Sequence, residues 1–410
     1  MSSASAEATR PDDAGLGRGG FRGRTGDALR LAGPALLGYG AARLLGVSLL
    51  YYLAKRRGES PGTLLYDSWD ARWYQMIAAG GYNHTIHGVP HTWHHAFSNL
   101  AFFPLYPALC RAAHAVLPLG LPKSSWLVAL AGAFAAAWLI FLIGNRLYGR
   151  RTGTILAVMW GCMPHAVVES MAYTEALFTA LCAAALYVAL ARRWVWAGVF
   201  AALAGLTRPT GVAIAAAISL AAAVAALQGL RRREEGEPWW RPVWRPALGA
   251  LLAPAGWLGF VAWVGLRLHR RDGYFVVQSE WGNRFSKGGY LLRHIRSVFL
   301  GPRGSQVPVA FVVVTLVVVA SFALCALCVA QRQPLPLLLF SVAMLTVLAL
   351  GRGVYIARAR FLLPAFPLLI PLARVLARAH RRTIAYTLST AAVGSAVYGV
   401  HLALIWSGPP

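Results

Sequence analysis

Runs of about 20 mainly apolar residues recur along this chain, separated by short connectors rich in arginine, and no other feature restricts its fold as strongly. A segment of that kind in a hydrocarbon layer must satisfy its own backbone hydrogen bonds, so it folds as a helix and its neighbours form a bundle. Eleven windows fit: 31–54, 126–145, 152–168, 171–191, 195–207, 210–229, 246–266, 306–330, 335–350, 361–377 and 384–406. The window at 195–207 is short enough to be a half-helix. Phe103–Pro118 is apolar as well, but Arg111, His114 and three prolines place it at the interface. With 58% hydrophobic and 13% charged residues in 410, and a mean hydropathy of +0.54, an ordinary soluble domain is excluded. The expectation is an all-α, polytopic transmembrane helix bundle.

The formal charge of +25 comes in short clusters between apolar runs. It forms no single stripe, so nucleic acid is not implied as a partner. The clusters instead report topology. A cytoplasmic N-terminus puts Arg146/Arg150/Arg151, Arg192/Arg193, Arg231–Arg233, Arg332 and Arg378/Arg381/Arg382 inside, as the positive-inside rule favours. Lys55, Arg56 and Arg57 then fall outside, where long loops are weakly constrained by charge. Residues 1–30 read as a disordered cytoplasmic tail and 31–406 as the membrane domain, with extracytoplasmic loops at 55–125 and 267–305. The first apolar run lacks a small-residue cleavage site and reads as an uncleaved anchor. Cys325 and Cys328 have no second pair or histidine nearby to complete a zinc site, and no internal repeat is evident.

Chemistry concentrates in the first long loop. In Tyr66-Asp67-Ser68-Trp69-Asp70-Ala71-Arg72-Trp73-Tyr74, helical spacing puts Trp69, Trp73, Met76 and Ile77 on one face and Asp67, Asp70 and Tyr74 on another. Such a helix lies at the membrane surface and holds two carboxylates above the lipid. Neighbouring carboxylates repel when both are ionised, which suits one of them to act as a general base. The same residues also fit a plainer role, Asp67 as a helix cap and Asp70 as an ion-pair partner of Arg72 or Arg57.

Trp69-Asp70 with Trp73-Tyr74, the continuation Ile77-Ala78-Ala79-Gly80-Gly81-Tyr82, and Phe102-Phe103-Pro104-Leu105-Tyr106-Pro107 form an ordered set. Tyr173-Thr174-Glu175, Leu206-Thr207-Arg208-Pro209-Thr210-Gly211 and Ala359-Arg360-Phe361 before Pro364 and Pro367 continue it. The set resembles the integral-membrane mannosyltransferases of the PIG-V type, within the GT-C glycosyltransferases, and spans Tyr66 to Pro367. The resemblance implies a GT-C-like bundle that uses a polyprenyl-phosphate sugar and carries a functional acid in its first extracytoplasmic loop. It puts that acid at Asp70, beside Trp69. A second acid at Asp67 and a histidine-rich segment from Asn83 to His95 depart from the pattern.

That segment holds His84, His87, His91, His94 and His95. Its spacing crosses Gly88 and Pro90 and fits no single helix, so a solvated or interfacial loop is expected, with no metal and no other cofactor. Asn83-His84-Thr85 is a glycosylation sequon, meaningful only in a cell that glycosylates secreted chains. A departing lipid phosphate needs positive charge, and arginine's planar fork suits it. Arg208 in its Pro-interrupted turn, and Arg358 and Arg360 before the tenth window, are the candidates for donor phosphate binding, although each would equally anchor a helix end. Glu169 and Glu175 need partners because ionisable groups near membrane depth are costly, and Glu175 can orient Arg208. Tyr173, Tyr74 and Trp69 are expected to support the substrate site. The loop Arg267–Ser305 would serve as a lid over an acceptor or as a solvated connector.

The expected activity is transfer of a mannosyl or related hexosyl unit from a polyprenyl-phosphate donor to a glycan, lipid or protein acceptor by inverting displacement. Asp70, or Asp67, would be the base. The membrane would be the plasma membrane of a prokaryote or the endoplasmic reticulum of a eukaryote. The alternative is a transporter or flippase of a lipid-linked substrate, which would place ionisable groups in mid-span and repeat its broken helices in two halves.

Overall fold

The computed structural model describes residues 21–86, 97–301 and 307–409. The chain is mostly helical: α1 (Phe21–Arg56), α2 (Pro61–Tyr66), α3 (Asp70–Gly80), α4 (Leu105–Val116), α5 (Leu121–Tyr148) and α6 (Arg150–Gly161) come first. They are followed by α7 (Glu175–Leu190), α8 (Trp194–Gly205), α9 (Gly211–Arg231), α10 (Trp244–Leu252), α11 (Ala255–Arg267) and α12 (Gly273–Glu280). The last third carries α13 (Gly289–Leu300), α14 (Val309–Ala330), α15 (Leu335–Leu350), α16 (Arg358–Phe361), α17 (Ile370–Arg378) and α18 (Arg381–Leu404). Short 3-10 turns occupy Asn99–Ala101, Ala166–Ser170 and Leu363–Leu369.

Among the described residues, six helical stretches are long and apolar enough to cross a membrane by length and composition: Arg30–Arg56, Leu121–Tyr148, Gly211–Arg231, Trp244–Arg267, Val309–Ala330 and Arg381–Leu404. At 28 residues, α5 is about 42 Å long against a hydrocarbon core of about 30 Å. Three further windows are shorter apolar helices, α7, α8 and α15. The remaining two are interrupted. α6 ends at Gly161 and passes through a turn to Ala166–Ser170. The 361–377 window breaks at Pro364 and Pro367, where missing N–H donors leave a 3-10 turn before α17, whose first turn takes Pro371. At the N-terminus α1 starts at Phe21, ahead of the first apolar window. Residues 1–20 lie outside the described residues, as do His87, His91, His94 and His95.

α5 packs against α6, α7 and α1, while α1 also packs on α18, and α9 joins α8, α10 and α15. Small residues let backbones touch: a Cβ on Gly144 of α5 would sit 2.7 Å from Gly153 Cα of α6. α18 runs between the two ends of the bundle. At one end Arg57 of the α1 terminus donates to Leu404 O, and at the other Arg151 donates to Ala379 O.

The two long loops meet at the Arg57–Leu404 end of the bundle. Arg267 donates to Tyr82 O and Asn83 O, Gln278 to Ala101 O, and the Trp281 indole to Ser98 O. Trp281 also packs edge-on against Trp73, with ring centroids 5.0 Å apart. Residues 267–281 are thereby sewn to the first loop. Its strand β1 (Arg284–Phe285) pairs antiparallel with β2 (Gly351–Arg352) after α15, with Arg284 opposite Arg352.

Candidate functional site

The Asp67–Tyr74 stretch does not form one helix. α2 ends with Asp67 as its C-cap, and Trp69 adopts φ 48°, a left-handed conformation that a large side chain rarely takes. α3 therefore begins only at Asp70. This corrects the expectation that Asp67 shares a face with Asp70 and Tyr74. Asp67 instead pairs with Arg72 at 3.4 Å, both side chains being open to solvent. Strain of the Trp69 kind costs about 1–3 kcal/mol and persists where surroundings enforce it. Here the corner is tied by Ser68 to Leu64 O, Arg72 to Asp67 O and Gln75 to Tyr66 O. The turn sets Asp70 at the start of α3, where the helix dipole favours a carboxylate.

Three motifs far apart in sequence converge on that position. The backbone N–H of Leu105 donates to Leu206 O and binds the first loop to the Arg208 turn. That turn is tight: a Cβ on Gly211 would lie 2.7 Å from Gly205 Cα, and Thr207 donates to Ala204 O at 2.6 Å. The N–H of Ala172 donates to Leu65 O, and the Trp126 indole to Ser170 O, fixing Tyr173-Thr174-Glu175 beside α2.

The outcome is a chain of alternating charge. Asp70 Oδ2 lies 2.7 Å from Arg360 Nη2, Arg360 Nε 3.5 Å from Glu175 Oε1, and that same oxygen 2.6 Å from Arg208 Nη1. Arg208 also donates to Thr174 Oγ1 at 2.8 Å, and Thr174 shares a 3.0 Å hydrogen bond with the Tyr74 hydroxyl. Phe361 lies 5.3 Å from both guanidiniums, and the Tyr173 ring 5.5 Å from Arg360. Burial pushes the Tyr74 hydroxyl above the ordinary tyrosine range, so it acts as a neutral hydrogen-bonding group.

Two carboxylates and two arginines balance, which makes burial tolerable: the Glu175 side chain is 1% exposed and those of both arginines 7%. Asp70 is 20% exposed and is the member of the four that reaches the surface most. Arg360 Nη1 has no hydrogen-bond partner among the described residues, a costly state for a buried donor.

The structure thus gathers Asp70, Arg208, Arg360, Glu175, Tyr173 and Tyr74. Trp69 stays on the exposed rim, and Asp67 lies outside the cluster. Arg358 also lies apart, donating to Leu348 O and to Gly351 O with its guanidinium 5.3 Å from the Tyr290 ring. Its charge caps the end of α15. Thr174 and Phe361 are members that the sequence reading did not single out, although both sit inside motifs it quoted.

No family model and no curated protein sequence matches the chain. Among solved structures, it is similar to ArnT from Cupriavidus metallidurans bound to undecaprenyl phosphate, with a TM-score of 0.52 at 16% identity over 90% of this chain. The chain spans 63% of ArnT's length. A looser likeness, TM-score 0.46 at 16% identity, links it to the Archaeoglobus fulgidus oligosaccharyltransferase in its apo form, over 92% of this chain and 56% of that one. The chain shares its helical fold with ArnT.

Proposed function

We propose that this chain is a glycosyltransferase that takes a mannosyl or related hexosyl unit from a polyprenyl-phosphate donor on the extracytoplasmic face of the membrane. The observation that carries the reading is the Asp70–Arg360–Glu175–Arg208 chain: a surface-reaching carboxylate and two forked cations meet within one sugar phosphate's reach. ArnT, whose fold this chain shares, was solved with undecaprenyl phosphate, which supports a polyprenyl-phosphate donor.

The paired geometry gives the mechanism its order. In the resting site Asp70 occupies Arg360. An incoming donor phosphate, a diester with a single negative charge like that of the carboxylate, competes for the same guanidinium, with the unpartnered Nη1 available to it. Displaced from Arg360, Asp70 is free to accept the proton of the acceptor hydroxyl. That oxygen then bonds to the anomeric carbon as the bond from carbon to phosphate oxygen breaks, and the electron pair leaves with polyprenyl phosphate. Arg360 and Arg208 stabilise the charge developing there, while Glu175 keeps both forks aimed. A single displacement inverts the anomeric centre.

The test is purified protein in liposomes with radiolabelled polyprenyl-phosphate mannose and a membrane extract as acceptor pool. Label passing to an acceptor, with release of polyprenyl phosphate, supports the reading. Movement of intact donor across the bilayer without transfer would favour a flippase instead.

A further inference from the structure

A second cationic feature, outside the acid–arginine chain, lies where the long loop meets α15. Phe285, Ser286, Lys287, Tyr290, Arg293 and Arg352 line an open cleft of about 290 Å³. Its walls are fixed: β1 pairs with β2, Ser286 N–H donates to Leu350 O, and the Tyr290 hydroxyl to Gly353 O. Arg352 stands over the Tyr290 ring, which on its other contact meets Arg358, two residues before Arg360. The cleft is therefore joined through one aromatic ring to the segment that carries the proposed donor arginine.

Lys287, Arg293 and Arg352 are exposed, and none takes part in an ion pair among the described residues. The first turn of α13 opens on the same space at Gly289, adding its dipole to three cations. Like charges gathered without acids repel each other, and an anion between them removes that cost. The surroundings choose between a soluble anion and a lipid. Phe285 on the cleft wall is 81% exposed, and α13 presents Leu292, Phe299 and Leu300 outward beside its arginines. Exposed large apolar side chains next to cations on a two-faced helix are the pattern of an element seated at a membrane interface.

We propose that this cleft binds the phosphate ester of an anionic lipid headgroup, with Lys287, Arg293 and Arg352 holding the phosphate while Phe285 and the outer face of α13 meet the acyl region. Under the transferase reading the occupant is the acceptor, a phosphate-bearing lipid whose headgroup hydroxyl is presented towards Asp70; that role rests on the reading, whereas the binding does not.

The experiment is native mass spectrometry of the full-length protein with phosphatidylglycerol or phosphatidylcholine, repeated with glycerol phosphate as a soluble competitor. Phosphatidylglycerol should be retained over phosphatidylcholine. Replacing Lys287, Arg293 and Arg352 together by Gln should weaken its binding on the order of a hundredfold, about fivefold per cation. Lys287→Gln alone should give a graded share of that loss. Replacing Arg231, Arg232 and Arg233 by Gln, at the far end of α9, should leave binding unchanged. Equal retention of the two lipids, or equal loss in both triple variants, overturns the proposal. Displacement of the lipid by glycerol phosphate at equal concentration overturns the choice of a lipid. Because the assay needs no turnover, a protein that binds phosphatidylglycerol in this cleft but never transfers sugar keeps the site and loses only the transferase reading.

Discussion

Two buried carboxylate sites in this bundle use similar ingredients to different ends. Around Asp70 and Glu175, two arginines and two acids come from four separate elements, α3, α7, α16 and the turn before α9, and one acid reaches the surface. Around Glu169, which is wholly buried, the Tyr39 hydroxyl donates to one carboxylate oxygen at 3.0 Å. One turn along α1 from Tyr39, Arg43 donates to Ser395, which in turn donates to Met163 O, and the Arg43 charge also acts on Glu169. The second site joins α1, α18 and the Ala166–Ser170 turn and has no surface carboxylate. Under the proposed function, the difference separates a site built for chemistry from one built for packing. A buried acid held by neighbours within the packing closes an interface, whereas a balanced chain ending at the surface can exchange one of its partners for a substrate.

Substitutions test that division. The largest effect belongs to Asp70→Asn, which should lower sugar transfer by about 10²–10⁴-fold, the usual contribution of a positioned base. The folded amount should stay near wild type because Arg360 keeps Glu175, and initial rates with thermal melts measure both. Arg360→Lys keeps the charge and loses the fork, so transfer should fall about 10²-fold through weaker leaving-group stabilisation, read as kcat against donor concentration. Glu175→Gln removes the acid that both arginines share, leaving Arg360 with Asp70 but the buried Arg208 with no ion-pair partner among the described residues. It should destabilise the protein by about 3 kcal/mol, seen by denaturation, with a smaller loss of transfer per folded molecule.

Across the comparison, Tyr39→Phe should cost about 1 kcal/mol of stability and leave transfer per folded molecule within about twofold of wild type. A loss of transfer like that of Asp70→Asn would erase the distinction between the two sites. The smallest effect belongs to Asp67→Asn. Its exposed pair with Arg72 is worth at most about 1 kcal/mol, and transfer should barely change.

The helical membrane class was legible from the apolar windows, since length and composition decide it. Breaks within those windows were less so: Pro364 and Pro367 interrupt an apolar run whose average hydropathy conceals them. Asp70, Glu175, Arg208 and Arg360 were legible as residues because each sits in a short motif with few charged neighbours. Their mutual contacts were not, being made by loops docking through backbone hydrogen bonds such as Leu105 to Leu206. Asp67 was misassigned to the α3 face because helical spacing was carried through Trp69, whose left-handed backbone no periodicity reveals. Arg358 and Arg360 look equivalent in sequence, yet two positions apart on a helix they point to different neighbours, one to the end of α15 and one to Asp70. Tyr39 and Arg43 gave no signal at all, since their partners are more than a hundred residues away.

In the proposed mechanism Asp70 and the donor phosphate compete for Arg360, so that donor arrival frees the base. Donor affinity and transfer, measured side by side on wild type and Asp70→Asn in liposomes with labelled polyprenyl-phosphate sugar, test it most directly. Asp70→Asn should bind donor at least as tightly as wild type, because Arg360 has lost its competitor, while transfer is lost. Transfer at the wild-type rate, or donor binding that collapses together with transfer, would contradict it.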